Sequence, residues 1–335
     1  MYHFRVEKLG EIRKAGEGGH GDQRRRHCAS ADGFGAAGTL RDYGMRTGPP
    51  NFLGLEDRIA CDPEAPAVVL PIPYEKTVCY GGGTGYGPRA VLEASTQVEL
   101  FDEEYNIQPE WRVQTLPALD LGGMDPPDAM NAIRCAAEPI FQQRRFLLAL
   151  GGEHSITPPL VAAAKQIWTN LDVLLLDAHA DLRDTYQETP YSHACTGRRL
   201  VELGVGTIWM GVRSFSEEEF KFARLQRLTL LRASEMRAHP VKQLAAVILD
   251  RLARYVYLSI DVDVFDPSLV PGTGTPEPGG LDWPTVLEII RMLCREKSVV
   301  GADITELSPI PGIRVSEYVA ARLAAKLLLE AVFRG

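Results

Sequence analysis

Short apolar runs recur along this chain at 67–72 (AVVLPI), 146–150 (FLLAL), 173–176 (VLLL), 208–211 (IWMG), 255–260 (YVYLSI) and 299–304 (VVGADI). Runs of four to six residues without polar alternation suit strands buried on both faces, as in a parallel sheet. Between them the apolar spacing turns helical, over 157–168, 216–224, 241–253 and 283–294. That alternation predicts a doubly wound α/β sheet sandwiched between helix layers. No Pro/Ser-rich linker interrupts it, so residues 49–335 read as one domain. Residues 1–48 read as a flexible tail: 11–38 is rich in Gly, Ala and Arg, has almost no apolar periodicity and cannot offset its ordering entropy. Within the tail, Arg24-Arg25-Arg26-His27 reads as a solvated charge run. Met45 is a candidate start of translation.

Composition narrows the function classes. Among 335 residues, 36 are Lys or Arg and 44 are Asp or Glu, a formal charge of −8. An acidic balance argues against nucleic acid, whose phosphates need a basic surface, and is compatible with a small cationic substrate. No apolar run approaches the roughly 18 residues needed to cross a bilayer. The six cysteines include no CxxC pair, which excludes a zinc knuckle or a thioredoxin motif. With no signal sequence recognisable, they are expected to be reduced thiols in a cytoplasmic protein.

The chemistry lies just beyond the strands. The run at 146–150 leads into Gly151-Gly152-Glu153-His154-Ser155, and 173–176 into Asp177-Ala178-His179-Ala180-Asp181. The run at 255–260 leads into Asp261-Val262-Asp263, and 299–304 into Thr305-Glu306. Ligands bind outside the carboxyl ends of open parallel sheets, so four strands deliver His, Asp and Glu to one edge. In extended chain, residues two apart share a side, which groups Asp177 with His179 and Asp181, and Asp261 with Asp263. Four crowded carboxylates resist ionisation unless a cation compensates them. Two divalent ions would cancel their charge. Carboxylates and imidazoles without thiolate favour harder ions such as Mn²⁺, and shared carboxylates suit a two-metal hydrolytic centre. Each motif alone has a bland reading: DxHxD as a solvated turn, GGEHS as a helix opening, DxD as chance. Their coincidence at strand ends carries the argument.

These segments resemble the ureohydrolase family, which includes arginase and agmatinase. GGEHS (151–155), DAHAD (177–181) and SIDVDVFDP (259–267) are similar to its three metal signatures, and GTGTPEPGGL (272–281) and DITELSP (303–309) also fit. The resemblance runs from about residue 51 to the C-terminus. It implies a three-layer α/β/α fold with an eight-stranded, mainly parallel sheet, and two Mn²⁺ ions per chain. It implies that His154 and Asp181 hold one ion, His179 and Asp263 the other, and that Asp177 and Asp261 bridge them. The implied reaction hydrolyses a guanidino group to urea and an amine. Glu306 matches the family glutamate that grips the guanidinium, and His193, in Tyr191-Ser192-His193-Ala194-Cys195, resembles the histidine assigned to proton transfer or substrate orientation. His193, Glu306 and the ligand Asp181 form the expected catalytic set. Family members are commonly trimers or hexamers, so a homo-oligomer is expected.

The loop after the second motif, Leu182-Arg183-Asp184-Thr185-Tyr186-Gln187, does not match the Asn and Ser pattern of arginases. PEPGG and the SHAC-to-Arg198-Arg199 stretch look like agmatinases. Agmatine to putrescine plus urea is therefore the expected reaction, with Asp184 a candidate for the substrate's ammonium. Arginine, guanidinobutyrate and guanidine are alternatives, as is a non-catalytic polyamine-binding relative. Metal-dependent deacetylases share the fold but use a neighbouring pair of histidines, and none of the seven here are adjacent. The stretch Gly81–Gly87 lacks the Lys-Ser/Thr ending of a phosphate-binding P-loop. It is expected to form a wall of the site before a helix starting at Pro88, and Glu277 and Cys195 are candidate pocket residues.

Overall fold

The computed structural model describes residues 48–334. The expectations for the tail, its arginine cluster and Met45 lie outside the described residues. The strands are β1 (Ala67–Ile72), β2 (Val113–Thr115), β3 (Phe146–Gly151), β4 (Leu171–Leu176), β5 (Gly206–Val212), β6 (Thr229–Arg232), β7 (Tyr255–Asp261) and β8 (Ser298–Thr305). They form one sheet in the order β2-β1-β3-β8-β7-β4-β5-β6, and every pairing is parallel. Six of the eight coincide with the apolar runs. The other two, β2 and β6, are the sheet's edges; they are short and only partly buried, so neither needs the apolar run that marks a central strand.

Alternate residues of each strand enter opposite cores, as the pleat requires. Val69, Leu148, Leu174, Leu258 and Ala302 pack with helices Trp283–Glu296 and Val315–Leu328. Val68, Leu147, Val173 and Tyr257 pack on the other face with helices Pro126–Gln142 and Thr157–Ile167. Helices cover both faces, which makes the fold three layers. Each Leu or Ile so buried contributes roughly 1.5–3 kcal/mol.

Several helices start where local chemistry places them. The Asp125 and Asp282 side chains accept from the amides of Asp128 and Thr285. Ser216 and Glu219 form a reciprocal capping box ahead of Glu217–Gln226. Such caps satisfy amides that have no partner within the helix.

Register positions the site. Leu150 pairs with Ile304, Ile304 with Ile260, and Ile260 with Leu176. These four residues stand in one row across β3, β8, β7 and β4, the consecutive central strands. The residues immediately beyond them therefore leave the sheet at one level.

Candidate metal centre

Asp177 follows β4, Asp261 ends β7, His154 opens the turn after β3, and Glu306 follows β8. Three of the aspartates are held by backbone amides. Asp177 Oδ1 accepts from the His179 amide at 2.6 Å, Asp261 Oδ1 from the Asp263 amide at 2.8 Å, and Asp263 Oδ1 from the Ala178 amide at 3.0 Å. The second oxygens are left to face inward. His154 Nδ1 lies 3.2 Å from both Asp177 Oδ2 and Asp181 Oδ2, and 3.5 Å from Asp261 Oδ2. His179 Nδ1 lies 2.8 Å from Asp263 Oδ2 and 3.8 Å from Asp177 Oδ1. The donors form two compact sets that could each hold an ion: His154, Asp177 and Asp181, and Asp177, His179 and Asp263. Asp177 belongs to both. Asp261 lies beside the first set without completing either.

The donor chemistry fits divalent cations. His154 Nδ1 and Asp177 Oδ2 are buried with no hydrogen-bond partner, a costly arrangement unless something else occupies the space between them. Burial, with Asp181 and Asp263 nearby, pushes Asp177 up to about 7. Burial and the charges of Asp263 and Asp177 push Asp261 well above the carboxylate range. Burial alone would lower both imidazoles. For His154 the carboxylates of Asp177 and Asp181 outweigh it, and for His179, led by Asp263, they raise it to about 10. Asp263 alone moves down, because His179 outweighs its burial. Burial together with excess negative charge is the cause of the upward shifts, and cations relieve it.

The outer nitrogen of His154 is held as well. Nε2 lies 2.8 Å from Ser259 Oγ, which donates to Asp303 Oδ1 at 2.6 Å, while Thr157 Oγ1 donates to Asp303 Oδ2 at 2.9 Å. Outer contacts of this kind fix the tautomer and orientation of a ligating imidazole. Asp181 and Glu306 have left-handed backbones, with φ of 53° and 63°. Such strain in non-glycine residues gathers at functional sites.

A cavity of about 340 Å³ opens over this cluster, lined by His179, Asp181, His193, Asp261, Asp263 and Glu306, with Tyr80, Tyr186 and Phe215 in its wall. Glu306 Oε1 accepts from the His154 amide at 2.6 Å, and its own amide donates to Gly152 O at 2.8 Å. Gly152 cannot carry a side chain, since a Cβ would sit 2.1 Å from Tyr74 O. Burial, with Glu153 nearby, pushes the Glu306 carboxyl up to about 8. His193 is held by Thr77, whose Oγ1 lies 3.1 Å from Nδ1 and also accepts from the His193 amide. Thr77 is in turn held by Glu153, which accepts from its amide at 2.7 Å and its hydroxyl at 3.0 Å.

Three sequence expectations change. Asp184 is exposed and sits 2.9 Å from Arg199, so its charge is matched there and not presented to the cavity. Cys195 is fully buried and does not line the cavity. The wall is Val78–Tyr80, just before the glycine run, which instead folds back so that the amides of Gly83 and Gly85 donate to Glu75. Glu277 stands 4.0 Å from His179 Nε2. Sequence reasoning passed over Glu153, Thr77, Ser259 and Asp303. Ser259 and Asp303 lie inside the SIDVDVFDP and DITELSP motifs, two residues before Asp261 and three before Glu306, and were therefore findable; Thr77 carries no local signal.

Known proteins share this sequence pattern and fold. The arginase family model matches residues 65–333. The chain is 39% identical over 289 residues to the N(1)-aminopropylagmatine ureohydrolase of Synechocystis sp., covering 84% of this chain and 94% of that one. It is 36% identical to the agmatinase of Pyrococcus horikoshii, over 73% of this chain and 84% of that one. The agmatine ureohydrolase of Thermoplasma volcanium superposes with a TM-score of 0.74 at 30% identity, covering 80% of this chain and 90% of that structure. A matched family model over most of the chain, an all-parallel eight-stranded sheet and strand-end His and Asp clusters converge: this chain belongs to the arginase family.

Proposed function

We propose that this arginase-family ureohydrolase is a binuclear manganese enzyme that cleaves agmatine to putrescine and urea. The observation that carries the proposal is the pair of three-residue donor sets sharing Asp177 at the floor of the cavity. His154, Asp177, Asp181, His179 and Asp263 would hold the ions, with Asp261 beside them. Such an ion pair supplies a water nucleophile at neutral pH and offsets carboxylate charge.

The chain's own residues do the rest. Glu306 anchors the guanidinium: Oε1 is pinned by the His154 amide, leaving Oε2 to accept from the substrate's N–H groups. That fixes the planar guanidinium carbon over the metal-ligand cluster. His193, pinned at Nδ1 by Thr77, would exchange the proton of the leaving amine at Nε2. Tyr186 and Phe215 line the wall along which the methylene tail would lie. Asp181, Asp261, Asp263, Glu219 and Glu306 line the cavity against one guanidinium, Arg183, so its wall is predominantly acidic. This acidic wall favours a cationic tail over the carboxylate of arginine. The protein would act in the cytoplasm as a homo-oligomer.

A second reading, N(1)-aminopropylagmatine, is favoured by the names of relatives such as the Synechocystis protein. Urea release from Mn²⁺-loaded protein separates the candidates. Agmatine and its aminopropyl derivative should be cleaved with kcat/KM at least about 10²-fold above arginine and 4-guanidinobutyrate. No urea from either cationic substrate, or preference for a carboxylate-tailed guanidine, would contradict the proposal.

A further inference from the structure

A second cavity, of about 380 Å³, lies behind the segment that carries His193. Met130 and Arg134 of helix Pro126–Gln142, Pro158 and Ala162 of helix Thr157–Ile167, and Thr196 and Arg199 of helix Thr196–Glu202 form its walls. The walls are mainly apolar. Yet two of their buried polar atoms, Thr196 Oγ1 and Arg199 Nε, have no hydrogen-bond partner. Thr196 is only 1% exposed. Buried polar atoms left unpaired in a roomy cavity call for a partner that the chain does not supply. Arg134 pairs with Glu138, and the terminal nitrogen Nη2 of Arg199 pairs with Asp184 and Glu202, so what the lining still offers an acceptor is the Arg199 Nε–H and the Thr196 hydroxyl.

We propose that this cavity is a second ligand site, taking a small monocarboxylate with an apolar body, and that its occupant acts on His193. The carboxylate accepts from Arg199 Nε and the Thr196 hydroxyl, and the apolar body rests on Met130, Pro158 and Ala162. Two routes lead from the cavity to the imidazole. Ser192 lines the cavity, caps the turn His193–Cys195 and places its Oγ 3.5 Å from His193 Nδ1. Ser155, on the opposite wall, donates to Glu153 Oε1 at 2.6 Å, the atom that also accepts from Thr77 Oγ1. Thr77 in turn fixes His193 Nδ1. An occupant that shifts Ser192 or Ser155 therefore moves the contacts that orient the imidazole, and none of these contacts needs a metal. Coupling of this type needs only that the ligand favour one arrangement of the segment over another.

The test uses benzoate as probe and benzyl alcohol as its uncharged counterpart, with the full chain, Mn²⁺-loaded and again after chelation. Calorimetry should show one benzoate per chain, with a dissociation constant on the order of a millimolar and weaker binding of benzyl alcohol. Binding should survive chelation, which separates this site from carboxylate capture by the metals. Ala162→Trp and, from the opposite wall, Met130→Trp should each abolish binding while the unfolding temperature shows a folded chain. Thr196→Val should weaken it several-fold. The ring signals of His193 in NMR spectra should shift on benzoate addition in the wild type and not in Ala162→Trp. Absence of saturable binding overturns the proposal, as does binding lost with the metals, binding unchanged in both filled variants, or occlusion of the cavity by a second copy of the chain.

Discussion

At the turn over residues 102–104, three carboxylates meet cations that the chain itself provides. Lys326 Nζ, 3% exposed, lies 2.6 Å from both Asp102 and Glu104 and 3.4 Å from Glu103. Arg291 adds a contact to Glu104 and Arg322 one to Glu103. At the sheet edge, Asp177, Asp181, Asp261 and Asp263 are buried with two imidazoles in contact, and the nearby Arg213 guanidinium is committed to backbone carbonyls, those of Asp263 and Phe265 among them. The carboxyls respond in opposite directions. Glu103 is drawn down to about 2 by Arg322 and then Lys326, and Glu104 is also lowered, Lys326 outweighing its burial. Asp177 and Asp261 are pushed up, with burial the leading cause. Acid matched by the protein's own cations is structural. Buried acid left unmatched, with orphaned donor atoms beside it, marks a place where cations bind.

Substitutions on each side break this comparison if it is wrong. Asp261→Asn should lower turnover by about 10³-fold or more and reduce bound metal below two ions per chain, since this carboxylate borders the first donor set. Elemental analysis with a urea assay checks both. Lys326→Met should instead lower stability by about 3–5 kcal/mol, because it strands the buried Asp102 carboxylate. Metal content and turnover per folded molecule should stay at wild-type values, as denaturant titration beside the same two assays would show. Glu306→Gln should reduce kcat/KM for agmatine by about 10²-fold while both metals remain bound. Loss of a metal there would make Glu306 part of the metal set.

The smallest effect concerns acid. Glu103 sits near 2, below its ordinary 4.5, so its stabilisation is complete above 4.5 and fades as pH falls toward 2. On metal-free protein, the gap in unfolding temperature between wild type and Glu103→Gln should therefore be widest above pH 5 and close towards pH 2. Because Glu103 is largely exposed, the gap is expected to be small. A gap independent of pH would assign the Glu103 contribution to packing.

The legible part of this molecule is the part governed by local pattern. Central strands must be apolar on both faces, so β1, β3, β4, β5, β7 and β8 announce themselves, and the residues after four of them name the site. Edge strands β2 and β6 face solvent on one side and carry no such run. Asp184 misled because its place in the loop suggested a free charge, while Arg199, fifteen residues later, pairs with it. Thr77 and Glu153 hold His193 through hydrogen bonds spanning 76 and 116 residues, a distance at which no sequence pattern speaks. Donor types and their shared edge were readable; which oxygen faces which nitrogen had to come from the fold.

Anomalous diffraction from crystals of the full chain grown with Mn²⁺ tests the central claim most directly. Two manganese peaks per chain should appear, one among His154, Asp177 and Asp181 and the other among Asp177, His179 and Asp263. A single peak, none, or peaks at the carboxylates of residues 102–104 would contradict it.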